Sequence, residues 1–278
     1  MTARESTVEV DVERVARGTR EAARDVLAAE EPLEIQLCVE DAERRRLVRQ
    51  TVAVTMRTPG DDAGLAAGFL FTEGIVRDAA QVETVRAARS GNAVRVWLRP
   101  GTAVDLARLE RHFYTTSSCG VCGKASIDAL RATSCFALPA ASPVIDAALV
   151  HELPRRLRDA QPVFDRTGAL HAAALFDADG TLRVLREDVG RHNALDKVIG
   201  AELLAGRLPA HDRVLLVSGR ASFELVLKAV MAGIPILAAV GAPSSLAVQL
   251  AERAGMTLLG FVRDGRFNVY AGEERIGR

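Results

Sequence analysis

Leu33, Ile35, Leu37 and Val39 alternate with more polar neighbours, the two-residue period of a strand with one buried face. After the charged turn DAERRR the run 47–56 alternates in the same way, so residues 33–56 predict a hairpin. Cys38 lies on the face opposite the apolar set. Thr58-Pro-Gly-Asp-Asp then reads as a turn into a short helix, with Asp61 and Asp62 at its N-terminus, Leu65, Phe69 and Leu70 along it and Gly74 ending it. A strand follows at 94–98. Further on, 135–159 predicts a short loop and a helix, and 170–176 and 182–186 flank the turn Asp177-Ala-Asp-Gly180 as a second hairpin. The last third is the most regular: strand 213–218, helix 222–232, strand 234–240, helix 244–254, strand 257–262. That β-α-β-α-β order requires parallel pairing with right-handed crossovers and helices covering the sheet. The fold class is therefore α/β. Three segments follow: a charged, flexible extension over 1–30, a small α+β subdomain over 31–113, and an α/β core over 114–278. There is no internal repeat.

Composition narrows the function. Acidic and basic residues balance at 36 each, which argues against a protein-wide grip on nucleic acid or an anionic membrane. Aromatic residues make up only 4%, so the core is built from Leu, Val, Ile and Ala. The first thirty residues contain no apolar run long enough for a signal-peptide core. The most apolar stretch, 230–240, is too short to span a bilayer and contains Gly233 and Pro235. A cytoplasmic protein is expected. With four cysteines in a reducing compartment, a close pair points to catalysis, redox chemistry or metal rather than a disulfide framework.

One such pair exists. Thr115-Thr-Ser-Ser-Cys-Gly-Val-Cys-Gly-Lys places Cys119 and Cys122 three positions apart among glycines and hydroxyl residues, just before the helical pattern 125–132. A helix N-terminus and Lys124 both favour thiolate over thiol. Three chemistries compete. Structural zinc needs two further ligands, yet Cys38 and Cys135 stand singly and the histidines form no second close pair. A thioredoxin-like dithiol suits the spacing but not the surrounding order of elements. Persulfide transfer needs one nucleophilic thiol to accept a sulfane sulfur and a second to help discharge it.

Anion candidates cluster where ligands usually meet α/β sheets, at the carboxyl ends of strands. Between strand and helix, Ser218, Gly219, Arg220 and Ser222 offer backbone N–H groups, two hydroxyls and a guanidinium; an ordinary turn with Ser222 as N-cap has the same sequence. Gly241-Ala-Pro-Ser-Ser245 repeats the arrangement without a basic residue. Phe261, Val262, Arg263, Asp264, Gly265 and Arg266 combine an aromatic, two arginines and a carboxylate around a turn, as an exposed hairpin tip also does. Asp188, Arg191, His192 and Asn193 lead into the helix 194–204, with Asn193 read as its N-cap. His192 is a candidate general acid or base, set against the commoner structural role of a single histidine.

The runs SSCGVCGKASID, TPGDDAGLAAGFLFTEGI, REDVGRHNALDKVIG, SGRASFELVLKA and FVRDGRFNVY resemble the formate dehydrogenase accessory sulfurtransferase family, FdhD. The resemblance extends over about residues 31–270. It implies a sulfurtransferase that takes sulfur from a cysteine desulfurase as a persulfide. The sulfur passes to the bis(molybdopterin guanine dinucleotide) molybdenum cofactor, a guanine-nucleotide-containing client cofactor, and thereby activates the formate dehydrogenase catalytic subunit. It implies no permanently bound metal. Cys119 would bear the persulfide, Cys122 matches the second cysteine, and 261–266 matches the cofactor-binding stretch. Residues 188, 191–193, 218–220 and 222 are placed near the same site. A homodimer and a cytidine-deaminase-like core are further implications. Deaminase chemistry is not expected, because zinc deaminases carry His-x-Glu followed by a cysteine pair. Here the glutamate position after His171 is Ala173, and the cysteines precede it. His171 reads either as a pocket residue or as a satisfied core histidine.

Overall fold

The computed structural model describes residues 5–41, 46–89, 91–102, 104 and 136–277. The stretch read as a charged extension pairs instead as an antiparallel hairpin, β1 (Thr7–Ala16) with β2 (Thr19–Ala28). Valines alternate with charged residues along β1. Arg20 meets Glu13 across the hairpin, and Arg24 lies near Glu9 and Asp11. These pairs are solvent-exposed and hold the strands only weakly.

The predicted first hairpin is β3 (Glu31–Asp41) with β4 (Arg46–Arg57), and the predicted helix is α1 (Asp62–Thr72). Two more strands, β5 (Val82–Ala87) and β6 (Ala93–Leu98), complete a sheet of order β4-β3-β6-β5 in which β3 and β6 are parallel. Strand β5 was not legible because only Val82 on it is buried. Leu33, Ile35 and Leu37 of β3, Val94 and Val96 of β6 and Leu65, Ala66 and Leu70 of α1 form its core.

The main sheet has six strands, β13-β12-β11-β10-β8-β9. Its centre is the predicted parallel run β10 (Arg213–Val217), β11 (Ile236–Ala239) and β12 (Thr257–Arg263). It is flanked antiparallel by the hairpin β8 (His171–Asp177) and β9 (Leu182–Asp188), and by β13 (Arg266–Ala271). The fold is thus α/β with a mixed sheet. Successive residues of the central strands point to opposite faces. Leu215, Val217, Leu237 and Leu258 pack under α4 (Arg191–Leu204), α5 (Phe223–Met231) and α6 (Ser245–Ala254). Val214, Leu216, Ile236, Leu259 and Val262 face α2 (Ala147–Asp159), which carries Val150, Leu153 and Leu157. Both faces being covered, these strands read as continuous apolar runs. A short helix α3 (Pro162–Thr167), overlooked in the sequence, is held at its start by Glu187, whose carboxylate accepts from the N–H of Val163 and Phe164. A two-stranded pairing of β7 (Ile145–Asp146) with β14 (Ile276–Gly277) closes the far side.

Helices α1 and α4 join the two cores by an unusually close approach. A Cβ on Gly68 would lie 1.9 Å from the Asp196 carbonyl oxygen, and one on Gly200 1.8 Å from that of Gly64. Only glycine lets the two backbones touch. Beside this crossing lies a buried polar knot. The Lys228 ammonium donates to both Asp196 oxygens at 2.9 Å and to Thr72 Oγ1 at 2.7 Å, while Thr72 donates to Asp196 Oδ1 at 2.9 Å. Burial raises the Asp196 pKa against the pull of Lys228.

Candidate functional site

The start of β8, the end of β9 and the carboxyl ends of β10, β11 and β12 fall along one edge of the main sheet, because β8 runs antiparallel to β10 while β11 and β12 run with it. His171 pairs in register with Asp188, and Ala173 with Val217. Past the strands the backbone stays stitched. Ser218 N–H donates to the Ala172 carbonyl and Ser218 Oγ accepts from the Ala172 N–H, each at 2.9 Å. Gly241 N–H donates to Gly219 O at 2.9 Å, and Phe261 N–H to Gly241 O at 3.1 Å. A Cβ at Gly241 would lie 3.0 Å from the Gly219 oxygen, so a side chain there would press against the neighbouring turn. The segments nominated from sequence at 188–193, 218–222, 241–245 and 261 therefore meet on one rim. Cys119 and Cys122 lie outside the described residues.

Within the rim the nominated residues divide by role. Asp188 is fully buried: it accepts from Gly190 N–H at 2.8 Å, from Asn193 Nδ2 at 3.0 Å and from Thr58 N–H at 3.2 Å, and pairs with Lys197 at 2.7 Å. Asn193 also donates to the Met56 carbonyl at 2.8 Å, and Lys197 to the Thr58 carbonyl at 2.9 Å. These residues lock the start of α4 onto the segment joining β4 to α1. Asn193 is not the N-cap, because the helix already begins at Arg191 with Gly190 as cap. Sequence reasoning missed Lys197 and Thr58; a lone lysine amid an apolar helical run was the available signal.

Arg191 and His192 occupy the first turn of α4, whose start has no side-chain cap. His192 Nε2 lies 3.4 Å from Ser222 Oγ and 3.9 Å from Glu224 Oε2. Ser222 does stand at the N-cap position of α5, but its side chain makes no capping hydrogen bond. Burial, then the Arg191 charge and Lys228, push the His192 imidazole down to about 4 against the opposing pull of Glu224. His171 is likewise lowered, by burial first and Arg191 second, while Asp188 opposes. His192 is neutral at pH 7, so it can accept a proton or hydrogen bond but cannot supply a standing positive charge.

The 261–266 segment splits as well. Phe261 has a left-handed backbone, φ 54°, at an irregularity in the β12–β13 pairing. Such strain in a non-glycine residue is held in place only by its surroundings. Asp264 and Gly265, both at positive φ, form the two-residue turn between paired Arg263 and Arg266, as Asp-Gly hairpin turns do. Arg263, Asp264, Gly265 and Arg266 are exposed beyond the rim, and the Arg263 guanidinium sits 5.8 Å from the Phe261 ring centre. Val262 points into the core. Arg220 is exposed. Among the described residues no group of three or more His, Cys, Asp or Glu is arranged to hold a metal ion, and no described helix is long and apolar enough to cross a membrane.

Comparison with known proteins places the chain in a family. A sulfur carrier protein FdhD of Streptomyces avermitilis is 53% identical over 272 residues, spanning 95% of this chain and 93% of its own length. The protein of the same description from Mycobacterium tuberculosis is 50% identical over 264 residues, spanning 91% and 92%. A crystal structure of a proposed formate dehydrogenase accessory protein from Desulfotalea psychrophila superposes with a TM-score of 0.77 at 26% identity, covering 98% of this chain and all of the other. The sequence model of the FdhD/NarQ family matches residues 28–277, everything after the β1–β2 hairpin. The chain belongs to the FdhD/NarQ family.

Proposed function

We propose that this protein is a sulfur carrier in formate dehydrogenase maturation, accepting sulfane sulfur on Cys119. The observation that carries the reading is identity of 50% or more, over nearly the whole chain, to relatives described as sulfur carrier proteins, in a chain whose sequence holds a Cys-x-x-Cys pair at 119 and 122. In the first step the Cys119 thiolate attacks the terminal sulfur of a cysteine desulfurase persulfide. That S–S bond breaks, the desulfurase thiolate leaves, and Cys119 carries the persulfide with no net redox change. For discharge, the Cys122 thiolate attacks the Cys119 sulfur, releasing the outer sulfur as sulfide and leaving a Cys119–Cys122 disulfide for a thiol reductant. The two cysteines thus supply the two electrons that turn sulfane sulfur into sulfide.

The acceptor is the bis(molybdopterin guanine dinucleotide) cofactor, bound as cargo at the rim. Support comes from the convergence of the 188–193, 218–222 and 261 segments there, with Arg263 and Arg266 on the adjoining hairpin. A cytoplasmic homodimer and a cytidine-deaminase-like core without deaminase chemistry complete the reading, the latter because Ala173 replaces the proton-shuttling glutamate.

Intact-mass analysis after incubation with a cysteine desulfurase and cysteine tests the relay. The native chain and Cys122→Ala should gain thiol-reducible sulfur and Cys119→Ala should not. Sulfur on none of the three, with guanine nucleotide still bound by the native chain, would replace the relay with a cofactor-holding role.

A further inference from the structure

We infer that the face of the four-stranded sheet turned away from α1, around Trp97, docks the protein that donates sulfur, through a donor surface that mixes carboxylates with apolar side chains. This rests on the sulfur-carrier reading and adds where the donor sits. Leu33, Ile35 and Leu37 turn one face of the sheet to α1, so Glu34, Gln36 and Cys38 belong to the other. Residues directly opposite across strands share a face. Cys38 stands opposite both Trp97 of β6 and Arg49 of β4, while Gln36 stands opposite Arg95, itself opposite Arg86 of β5. The Arg86 guanidinium lies 5.7 Å from the Trp97 ring centre, and Arg95 Nε donates to Gln36 at 3.0 Å. The edge strand β4 adds Leu47, Val54 and Met56, opposite Glu40, Glu34 and Pro32 and 64%, 50% and 46% exposed.

Charge and chemistry select a protein as the occupant. Among the described residues Arg95 meets a neutral carboxamide and Arg86 a ring, and neither they nor Arg49 forms an ion pair. The carboxylate set among them, Glu34, is already engaged: hydrogen bonds from Gln36 and Thr51, then the Arg49 and Arg95 charges, hold it below the usual carboxylate range. An acidic surface supplies the partners these guanidinium groups lack, and Trp and Arg are the side chains enriched at the energetic centres of protein interfaces. A nucleic-acid strand would leave Leu47, Val54 and Met56 against phosphate and find one ring on which to stack. Cys38 beside Trp97 is buried, and burial pushes its thiol pKa up, so this face binds rather than reacts. It also stands clear of the rim. Along β3, Cys38 is roughly 20 Å from Pro32, whose partner Met56 accepts from Asn193. A donor can therefore dock at Trp97 while the rim is occupied, and the chain runs on from Trp97 to Cys119 in 22 residues.

Trp97 is the single tryptophan of the chain, which makes the test direct. In the full chain labelled with 5-fluorotryptophan, the one fluorine resonance should shift as unlabelled cysteine desulfurase is added. Arg49→Glu and Arg86→Glu, both at exposed positions, should keep the native circular dichroism spectrum and weaken desulfurase binding at least tenfold. Added salt should weaken native binding. Arg253→Glu, an exposed charge reversal on α6, should stay within twofold. In sulfur loading, the two face variants should need at least tenfold more desulfurase for half-maximal rate at an unchanged maximal rate. From glutathione persulfide, which needs no docking, they should load as the native chain does. Folded Arg49→Glu and Arg86→Glu chains that bind the desulfurase as the native chain does would overturn the docking face. So would a native chain that does not bind it. A resonance moved by protein concentration alone, or by single-stranded RNA and not by the desulfurase, would give the face to a second copy or to nucleic acid instead. A desulfurase that docks at Trp97 yet loads no sulfur onto Cys119 would strike the relay and spare the face.

Discussion

At the scale of single residues, burial holds both rim histidines, His192 and His171, below the usual imidazole range. His192 titrates near 4 in the folded chain and near 6.5 when unfolded. As pH falls below about 6.5 the unfolded chain takes up this proton first, so stability present above 6.5 declines until about 4 and then levels off. The loss attributable to this one group is up to about 3 kcal/mol, from 1.36 kcal/mol per pKa unit. Thermal unfolding followed between pH 7 and pH 4 should show a smaller decline in His192→Gln than in the native chain; equal slopes would mean that the imidazole titrates normally. The Asp196–Lys228 pair makes a different prediction. Asp196→Ala strands a buried ammonium and should cost about 3–5 kcal/mol in urea unfolding, whereas replacing both partners by apolar residues of similar volume should cost much less. Little of this was legible beforehand. Asp188, Asn193 and Arg191 stand within six residues of one another, yet nothing in their sequence says that the first two turn inward to knit α4 to β4 while the Nε of the third has no acceptor among the described residues.

Among elements, the α1–α4 crossing matters most, since it brings the small sheet's core against the main one. Gly68 and Gly200 are the contact itself, so Gly68→Ala or Gly200→Ala must push the helices apart. Chemical denaturation should register a loss of at least about 1–3 kcal/mol for either, the usual range for overpacking. Ala63→Ser on the exposed face of α1 should change stability by less than about 0.5 kcal/mol. The helices themselves were readable in the sequence, α1 from its apolar spacing and from Gly74 at its end. Their crossing was not, because a glycine inside a helix looks like a weak point until the partner backbone is seen above it. The strands divided in the same way. Apolar runs announced β10, β11 and β12, while half-exposed β5, β13 and the charged β1–β2 hairpin lacked the buried face that makes a strand legible.

For the whole molecule, the family match beginning at residue 28 and the exposed ion pairs of the hairpin before it suggest a modular attachment. Removal of residues 1–28 should leave both cores folded, with a melting temperature within a few degrees of the native chain; a collapse of the transition would show that the hairpin supports the cores. Local chemistry determined a good deal by itself: an α/β class, three parallel strands with intervening helices, the Asp-Gly turn at 264–265 and a thiol pair at 119 and 122. Each of these depends on side-chain period, backbone preference or short spacing, which neighbouring residues settle among themselves. Tertiary structure decided what depends on residues far apart in the chain. It set which way β8 runs beside β10, and so brought His171 to Gly219. It buried Lys197 against Asp188. It also left Arg191, alone of the rim's nominated arginines, half-buried with an Nε that has no acceptor among the described residues, because burial and pairing are decided only once distant segments have packed together.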